Sequence, residues 1–302
     1  MAVTLPLLLL LAPGCSHGTY DTDSAVAIPY LLNDDSGTAV TYDEASMDSA
    51  LSLAVASARA ITAQPAIAAY DAAMVDQTTD CPAWYADATG LPYWYDNCVT
   101  AAGASFAGYG EEVNYDGYDD GTDVWTGPAT YMAATIATAD GHTFKGSGSA
   151  YALVGQQTVD TTAVTIYYSV LTGSYAWDGD SAAGTWLDGP TPSLTAWLED
   201  YGGIHAAYFS GSVPLDAATG YDLAVFDKAS LSAPEAGWVC PGEIDGTVSL
   251  HTTDGVWYQA LFTGNQADTT CDQCGDVWND GVPLGRACVD ATGWVTWDVA
   301  PW

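Results

Sequence analysis

From Cys81 to the end of the chain, apolar and polar residues alternate with a period of two. Clear runs cover residues 131–136, 163–170 and 256–262. Such alternation is typical of strands that bury one face. Breaks rich in Gly, Asp and Asn separate the runs, and no helical segment lies between them, so we expect antiparallel hairpins rather than βαβ units. The pattern predicts a mainly β protein, an antiparallel β-meander in an open or curled sheet, with one or two Ala-rich helices near the N-terminus.

Three of these breaks resemble one another. They read "TAAGASFAG" from Thr100, "TADGHTFKG" from Thr138 and "TTDGVWYQA" from Thr252. Each has a Thr, then a small or acidic residue, a Gly and an apolar or aromatic start of the next run. The similarity is short, and shared turn chemistry explains it as well as an internal repeat does.

Residues 41–65 have a period of three to four instead. Thr41 and Glu44 have the spacing of a capping box, and Pro65 marks an end. The apolar positions of this stretch form one stripe, which consists of Met47, Leu51, Ala54, Ala58 and Ile61. The pattern predicts a helix that packs on a larger body by one face, followed by a second short helix through residues 66–75.

The chain begins "MAVTLPLLLLLAPGC", an apolar run that is too short to span a bilayer but has the length of a signal-peptide core. It resembles a bacterial lipoprotein signal over residues 1–15. The resemblance implies that residues 1–14 are removed and that Cys15 is acylated. Ser16 stands where that class carries Asp for inner-membrane retention, which implies an export route to the outer membrane. Residues 15–40 are expected to form a lead-in or tether, and 41–302 a single helix-plus-antiparallel-β domain.

The charge is strongly negative: 38 acidic residues face only 4 Lys and Arg, which gives a net charge of −34. Binding to nucleic acid requires Lys and Arg at phosphates, so the composition argues against a nucleic-acid partner. It argues equally against electrostatic binding to anionic lipid headgroups. Two interpretations of the acidity remain open, namely a solvated surface suited to salty surroundings and a local set of aspartates that binds calcium.

Seven cysteines become six when Cys15 is assigned to lipid, and an even number in an exported chain predicts disulfides. A hairpin turn centred on Thr89-Gly90 sets Cys81 opposite Cys98, with Trp84 opposite Tyr95. We therefore expect a disulfide between Cys81 and Cys98.

The four remaining cysteines lie near two further hairpins. The Asp-Gly turns at 254–255 and 280–281 favour the pairs Cys240 with Cys271 and Cys274 with Cys288. A register slip would instead favour Cys271 with Cys288 and Cys240 with Cys274. A redox bridge within the Cys-x-x-Cys pair and a zinc site built from all four thiolates are further alternatives.

The segment "NYDGYDDGTD" combines oxygen ligands with glycines, as calcium loops do. Its candidate ligands are Asn114, Asp116, Asp119, Asp120 and Asp123. The segment has no Glu at the twelfth position and no flanking helices, both of which an EF-hand requires. An acidic, Gly-rich turn between two strands is the alternative, and calcium is the one candidate cofactor of the chain.

No nucleophile elbow, zinc-protease motif or phosphate loop occurs, and the histidines fall near predicted turns and strand ends. We therefore predict a non-enzymatic, lipid-anchored cell-envelope protein of structural or adhesive role. A glycan- or lipid-binding module is the first alternative, with a glycan or a cell-surface molecule as partner. A glycan-cleaving enzyme is the second. Among the aromatic residues, Trp294, Trp297 and Trp302 are candidates for an exposed sugar-stacking surface.

Overall fold

The computed structural model describes residues 40–88, 90–159, 161–179, 192–232, 243–264 and 272–296. Within these ranges, thirteen strands form one antiparallel sheet in which each strand pairs with its neighbours in the chain, so that the order is β1 to β13. Two helices precede the sheet. The predicted fold class, a mainly β antiparallel meander with Ala-rich helices near the N-terminus, is confirmed. The predicted signal peptide, Cys15 and nearly all of the lead-in lie outside the described residues.

The helices are α1 (Glu44–Ala60) and α2 (Gln64–Ala73). Short 3-10 turns cover Met74–Asp76, Ala217–Thr219 and Thr292–Trp294. The strands are β1 (Trp84–Ala86), β2 (Pro92–Val99), β3 (Ser105–Asp119), β4 (Val124–Ala137), β5 (Thr143–Val159), β6 (Thr162–Trp177), β7 (Ser193–Asp200), β8 (His205–Pro214), β9 (Tyr221–Ser232), β10 (Asp245–Thr252), β11 (Trp257–Thr263), β12 (Cys274–Asn279) and β13 (Val282–Cys288).

Helix α1 begins two residues later than a capping box at Thr41 requires. Asp43 is the N-cap, and its Oδ1 accepts a hydrogen bond of 2.8 Å from the backbone N–H of Ser46. The predicted box was therefore wrong: the aspartate satisfies a free N–H and places its charge at the positive end of the helix dipole. Pro65 does not end α1 but lies in the first turn of α2. An N–H at that position has no partner within the helix, so proline loses no helical hydrogen bond there.

The two helices pack on the same face of the sheet, which we call the inner face. The stripe of α1, including Leu51, Ala54 and Ala58, is buried against apolar side chains of β7–β13. Helix α2 is buried against β2–β6 through Ala66, Ile67 and Tyr70 among others. The opposite face is the outer face, which carries a third and smaller apolar cluster between the start of β4 and strands β5–β7.

The three similar breaks form the same five-residue turn. In each, the Thr N–H donates to the carbonyl four residues on, and the Gly N–H donates back to the Thr carbonyl. The Thr hydroxyl completes the turn by accepting from the N–H of the fifth residue, at 3.2 Å for Thr100, 2.9 Å for Thr138 and 2.9 Å for Thr252. The structure thus gives shared turn chemistry as the physical basis of the similarity.

Two other turns decide the registers around the disulfides. Asp280 and Gly281 have φ of 45° and 74°, as a two-residue type I′ turn requires, and a bulge at Val277 and Trp278 then sets Cys274 opposite Cys288. The first hairpin was predicted one residue out of register, because its turn is five residues long: Trp84 pairs with Trp94 and not with Tyr95.

Two predicted disulfides are present, Cys81–Cys98 and Cys274–Cys288. The second one removes Cys274 from a Cys-x-x-Cys bridge and from a zinc site of four thiolates, and it excludes the alternative pair of Cys271 with Cys288. The predicted bridge between Cys240 and Cys271 lies outside the described residues. Disulfides persist in oxidising compartments, so these bridges fit an extracytoplasmic location.

The free edge of β13 is covered from the N-terminal side of the domain. The Tyr42 hydroxyl donates to the Arg286 carbonyl, and Asp48 Oδ1 accepts from the N–H of Cys288 at 2.6 Å. Unpaired strand edges promote aggregation, and these side chains occupy two of the groups that would otherwise be open.

Trp294 is a core residue and not an exposed aromatic residue. It is 1% exposed, its ring centroid lies 4.4 Å from that of Phe209, and its Nε1 donates to the Val55 carbonyl at 2.9 Å. Trp297 and Trp302 lie outside the described residues.

Candidate functional site

The outer face of β1–β4 carries a row of aromatic side chains that we call the tyrosine row. Its members are Tyr85, Tyr93, Tyr95, Tyr109 and Tyr131. The ring centroids of successive neighbours are 5.7 Å apart for Tyr85 and Tyr93, 6.0 Å for Tyr93 and Tyr109, and 5.8 Å for Tyr109 and Tyr131. Tyr95 is opposite Tyr109 in the register of β2 and β3. Cross-strand neighbours therefore hold the row in place.

The tyrosine row faces solvent. Tyr85, Tyr95 and Tyr131 are 52%, 72% and 43% exposed. The Tyr109 hydroxyl donates to Glu111 Oε2 at 2.7 Å, which fixes its ring. Burial, and then the Glu111 carboxylate, raises the pKa of Tyr109, so this phenol stays protonated at neutral pH. Exposed aromatic groups in such a contiguous set mark a surface that binds another molecule.

A shallow depression of about 290 Å³ lies beside the tyrosine row on the same face. Register explains the adjacency: Tyr109 pairs with Ala133, Ala133 with Ser147, and Ser147 with Ser174. The large rings of β2 and β3 thus give way to small side chains across β4–β6. The residues that line the depression are Ala107, Ala133, Ala134, Thr135, Lys145, Gly146, Ser147 and Ser174.

Two glycines next to the depression show why the strands can approach so closely there. Gly148 of β5 and Gly173 of β6 are directly opposite, with φ of +145° and +99°. A Cβ at Gly148 would come within 1.8 Å of the Thr172 carbonyl oxygen, and one at Gly173 within 1.8 Å of the Ser147 carbonyl oxygen. Only glycine fits at either position.

The polar groups of the depression are one ammonium and several hydroxyls. Lys145 is exposed and pairs across the strands with Thr135. The hydroxyls belong to Thr135, Ser147 and Ser174. The lining contains no carboxylate, histidine or cysteine. Lys145 is thus the one charged residue of this lining, in a chain with 38 acidic residues.

The predicted calcium ligands lie on the β3–β4 hairpin and are only partly brought together. Asn114 and Asp116 belong to strand β3, where they pair with Pro128 and Thr126. Asp119 Oδ1 accepts from the N–H of Gly121 at 2.7 Å, as a turn-forming aspartate does.

Asp120 also serves the turn. Its Oδ1 accepts from the N–H groups of Thr122 and Asp123, and its Oδ2 accepts from Trp125 Nε1 at 2.9 Å. In the described part of the chain, no group of three or more His, Cys, Asp and Glu is arranged to hold a metal ion. The geometry thus favours the alternative of an acidic turn, and the calcium site stays a prediction.

Asp123 differs from the other four residues because it is buried. It is 7% exposed, and its Oδ1 has no hydrogen-bond partner among the described residues. Burial, and then the carboxylates of Asp120 and Glu199, raises the pKa of Asp123. The sequence did not indicate the approach of Glu199, which lies on β7, far from the hairpin in the chain.

Indole and phenol rings surround these carboxylates on the outer face. Glu199 accepts from Trp197 Nε1 at 2.7 Å and from the Tyr201 hydroxyl at 2.6 Å. The Trp125 ring lies 5.8 Å from that of Trp197. These contacts pack the tip of the β3–β4 hairpin onto the sheet.

The histidines of the sheet lie beside carboxylates at turns and strand ends, as predicted. His251 Nδ1 is 2.6 Å from Asp222 Oδ1, and its ring centroid is 4.7 Å from that of Trp257. His205 Nδ1 is 2.8 Å from the Val295 carbonyl oxygen. His142 lies 3.7 Å from Asp178. None of these residues lines the depression.

No protein-family model, curated protein or solved structure matches this chain. Among the described helices, none is both long enough and apolar enough to cross a membrane.

Proposed function

We propose that the chain is a non-enzymatic adhesive protein of the cell envelope, and that it binds glycans on the tyrosine row and the adjoining depression. The observation that carries this proposal is the exposed tyrosine row beside a floor of small side chains. An aromatic face carries partial negative charge that attracts the polarised C–H groups of a sugar ring. A flat array of such faces suits a flat, hydroxylated ligand.

Hydrogen-bonding groups support the same ligand class. The phenols of Tyr95 and Tyr131 and the hydroxyls of Ser147 and Ser174 can each donate and accept. Sugars require both functions at short intervals. A purely apolar ligand would leave these groups unpaired, which costs free energy. The inner face is occupied by the side chains of α1 and α2, which favours the outer face over a lipid held beneath a helix.

The absence of acid–base groups in the lining supports binding rather than cleavage. Hydrolysis of a glycosidic bond ordinarily uses two carboxyl groups about 5 to 10 Å apart, on either side of the bond. No carboxylate lines the depression. The net charge of −34 further disfavours polyanions such as nucleic acid as partners.

A glycan-binding test follows from the exposure of the tyrosine rings. The double variant Tyr95→Ala with Tyr131→Ala removes two ring faces next to the depression, and we expect it to weaken glycan binding at least tenfold, since buried aromatic contacts each contribute about 1 kcal/mol or more. Binding would be measured by biolayer interferometry on immobilised oligosaccharides, neutral and acidic.

The matched control for that test is Tyr118→Ala. Tyr118 is 53% exposed but lies near the tip of the β3–β4 hairpin, outside the tyrosine row. The proposal fails if the double variant retains full affinity, or if the wild-type chain binds no oligosaccharide of the panel.

The anchor belongs to the same proposal. The lipoprotein-like segment at residues 1–15 and the disulfides support export, with Cys15 acylated and the chain held at the outer membrane by its lipid. Intact-mass analysis of the protein from a bacterial host is expected to show acyl groups on Cys15 and no residues before it. A mature N-terminus elsewhere would refute the anchor and leave the binding surface untouched.

A further inference from the structure

Lys145 is placed where its charge can act on a bound ligand. It is exposed on the outer face of β5 and lines the depression, whose other lining residues are uncharged. It forms no ion pair within the described part of the chain. The chain has only 4 basic residues against 38 acidic ones. One of these few cations is therefore free to pair with a group in the depression.

The overall negative charge and this local positive charge act over different distances. At physiological salt the Debye length is about 8 Å, so the repulsion between the acidic surface and an anionic ligand is largely screened beyond that distance. An ammonium in direct contact with a ligand anion is screened much less. The contact between Lys145 and the ligand can therefore favour an anion that the protein as a whole repels.

We infer that the depression selects a sugar unit that carries a carboxylate, as a hexuronic acid does, and that Lys145 Nζ donates a charge-assisted hydrogen bond to it. This inference rests on the proposed function, because the tyrosine row supplies the stacking surface for the rest of the glycan. The hydroxyls of Thr135 and Ser147 flank the lysine and suit the hydroxyls of the same sugar ring.

The choice of a carboxylate over a bulkier anion follows from the lining. A tetrahedral sulfate or phosphate ester presents three terminal oxygens, and a phosphate ester up to two charges, so such a group is usually matched by several donors or by arginine. The depression offers one ammonium and neutral hydroxyls. A single charge on the ligand is the stoichiometric match for this set.

The test uses pairs of ligands that differ only in charge. Neutral oligosaccharides that end in one galacturonate, glucuronate or mannuronate unit are compared with their methyl esters, which keep the ring and lose the anion. Binding is measured at 0.5 M NaCl, where the Debye length is about 4 Å and long-range repulsion is weak. We expect the wild-type chain to bind at least one acid about three- to fivefold more tightly than its ester, as one partly exposed ion pair gives.

Variants assign that preference to Lys145. Lys145→Gln is expected to bind the acid and its ester equally. Lys145→Arg keeps the charge and is expected to keep most of the preference. Lys228→Gln removes the same charge from β9, outside the depression, and is expected to keep the preference intact.

The outcomes distinguish a failure of this inference from a failure of the proposed function. If acid and ester bind the wild type equally, or if Lys145→Gln keeps the preference, the role of Lys145 is refuted while glycan binding stands. If sulfated oligosaccharides bind through Lys145 more tightly than every carboxylated one, the assignment of a carboxylate is wrong. If no acid, ester or neutral oligosaccharide binds, the proposed function and this inference fail together.

Discussion

At the scale of single residues, Asp123 holds an acidic group where the fold gives it little solvation. Its neighbours are two other carboxylates and a set of indole and phenol rings, and one of its oxygens has no partner among the described residues. A buried acceptor without a donor costs about 1 to 3 kcal/mol. A raised pKa is the expected response, because protonation turns the residue into a donor toward the neighbouring carboxylates.

This environment gives Asp123 a defined effect on stability with pH. Its unfolded pKa is near 3.8 and its folded pKa is higher. Between these two pH values the folded chain keeps a proton that the unfolded chain has lost, so the free energy of unfolding falls as pH rises through that window. At neutral pH the charged carboxylate therefore destabilises the fold.

We expect Asp123→Asn to stabilise the protein at pH 7 by about 1 kcal/mol, since the amide can donate to Asp120 or Glu199 and carries no charge. This corresponds to a rise in Tm of about 2 to 4 °C, and the rise should shrink as pH approaches 4. Thermal unfolding followed by circular dichroism at both pH values measures it. Asp116→Asn, exposed on β3, is the control; an equal gain at both pH values, or a loss, would contradict the account of Asp123.

At the scale of secondary-structure elements, the Thr-x-x-Gly turn is a recurrent local unit of the sheet. In each case the Thr side chain is buried and its hydroxyl satisfies a backbone N–H that no strand neighbour reaches. The hydroxyl is thus part of the backbone hydrogen bonding of the hairpin. A side chain of the same shape without the oxygen would leave that N–H unpaired.

Two nearly isosteric substitutions of Thr138 test the role of its hydroxyl in the turn. Thr138→Val is expected to lower the free energy of unfolding by about 1 to 2 kcal/mol, because the His142 N–H loses its acceptor. Thr138→Ser keeps the oxygen and is expected to lower it by well under half as much. Urea denaturation measures both. Equal losses in the two variants would show that the methyl group, and not the hydroxyl, determines the stability of the turn.

Besides this turn, local sequence patterns predict the helices and the strands. The stripe of α1 and the alternation of the strands follow from local periodicity, and the structure has both. Strand register is predicted less accurately. The hairpin at Thr89-Gly90 has five turn residues, so Trp84 pairs with Trp94, one position away from its predicted partner Tyr95. A change of one residue reverses which side chains share a face.

The site required register across several strands at once. Alternation alone assigns Tyr109, Ala133 and Ser147 to faces of their own strands, but only pairing sets them side by side. The same holds for Glu199 beside Asp123. The aromatic content suggested a sugar-binding surface, with Trp294, Trp297 and Trp302 as its candidate residues. Of these, Trp294 is the one among the described residues, and its assignment was wrong because its side chain is buried in the core.

At the scale of the whole molecule, positive and negative charges are distributed unequally over the surface. Arg286 pairs with Asp272, with 2.8 Å between Nη1 and Oδ2. Arg59 is in the last turn of α1, where its positive charge interacts favourably with the negative end of the helix dipole. Lys145 is the basic residue that lines the depression. A protein this acidic repels copies of itself, which favours solubility wherever many chains are crowded on one surface.

The chain-order sheet has a consequence for how the protein is made. Each strand can pair with the one synthesised just before it, so most contacts form locally and early. The helices are exceptions, and α1 is the more extreme one, because it precedes the sheet and packs on β8, β10 and β13. The hydrogen bond from Cys288 to Asp48 spans 240 residues. Until β13 has been synthesised, the apolar stripe of α1 lacks part of its native cover. During this interval a chaperone or an export factor that recognises an amphipathic helix can bind it.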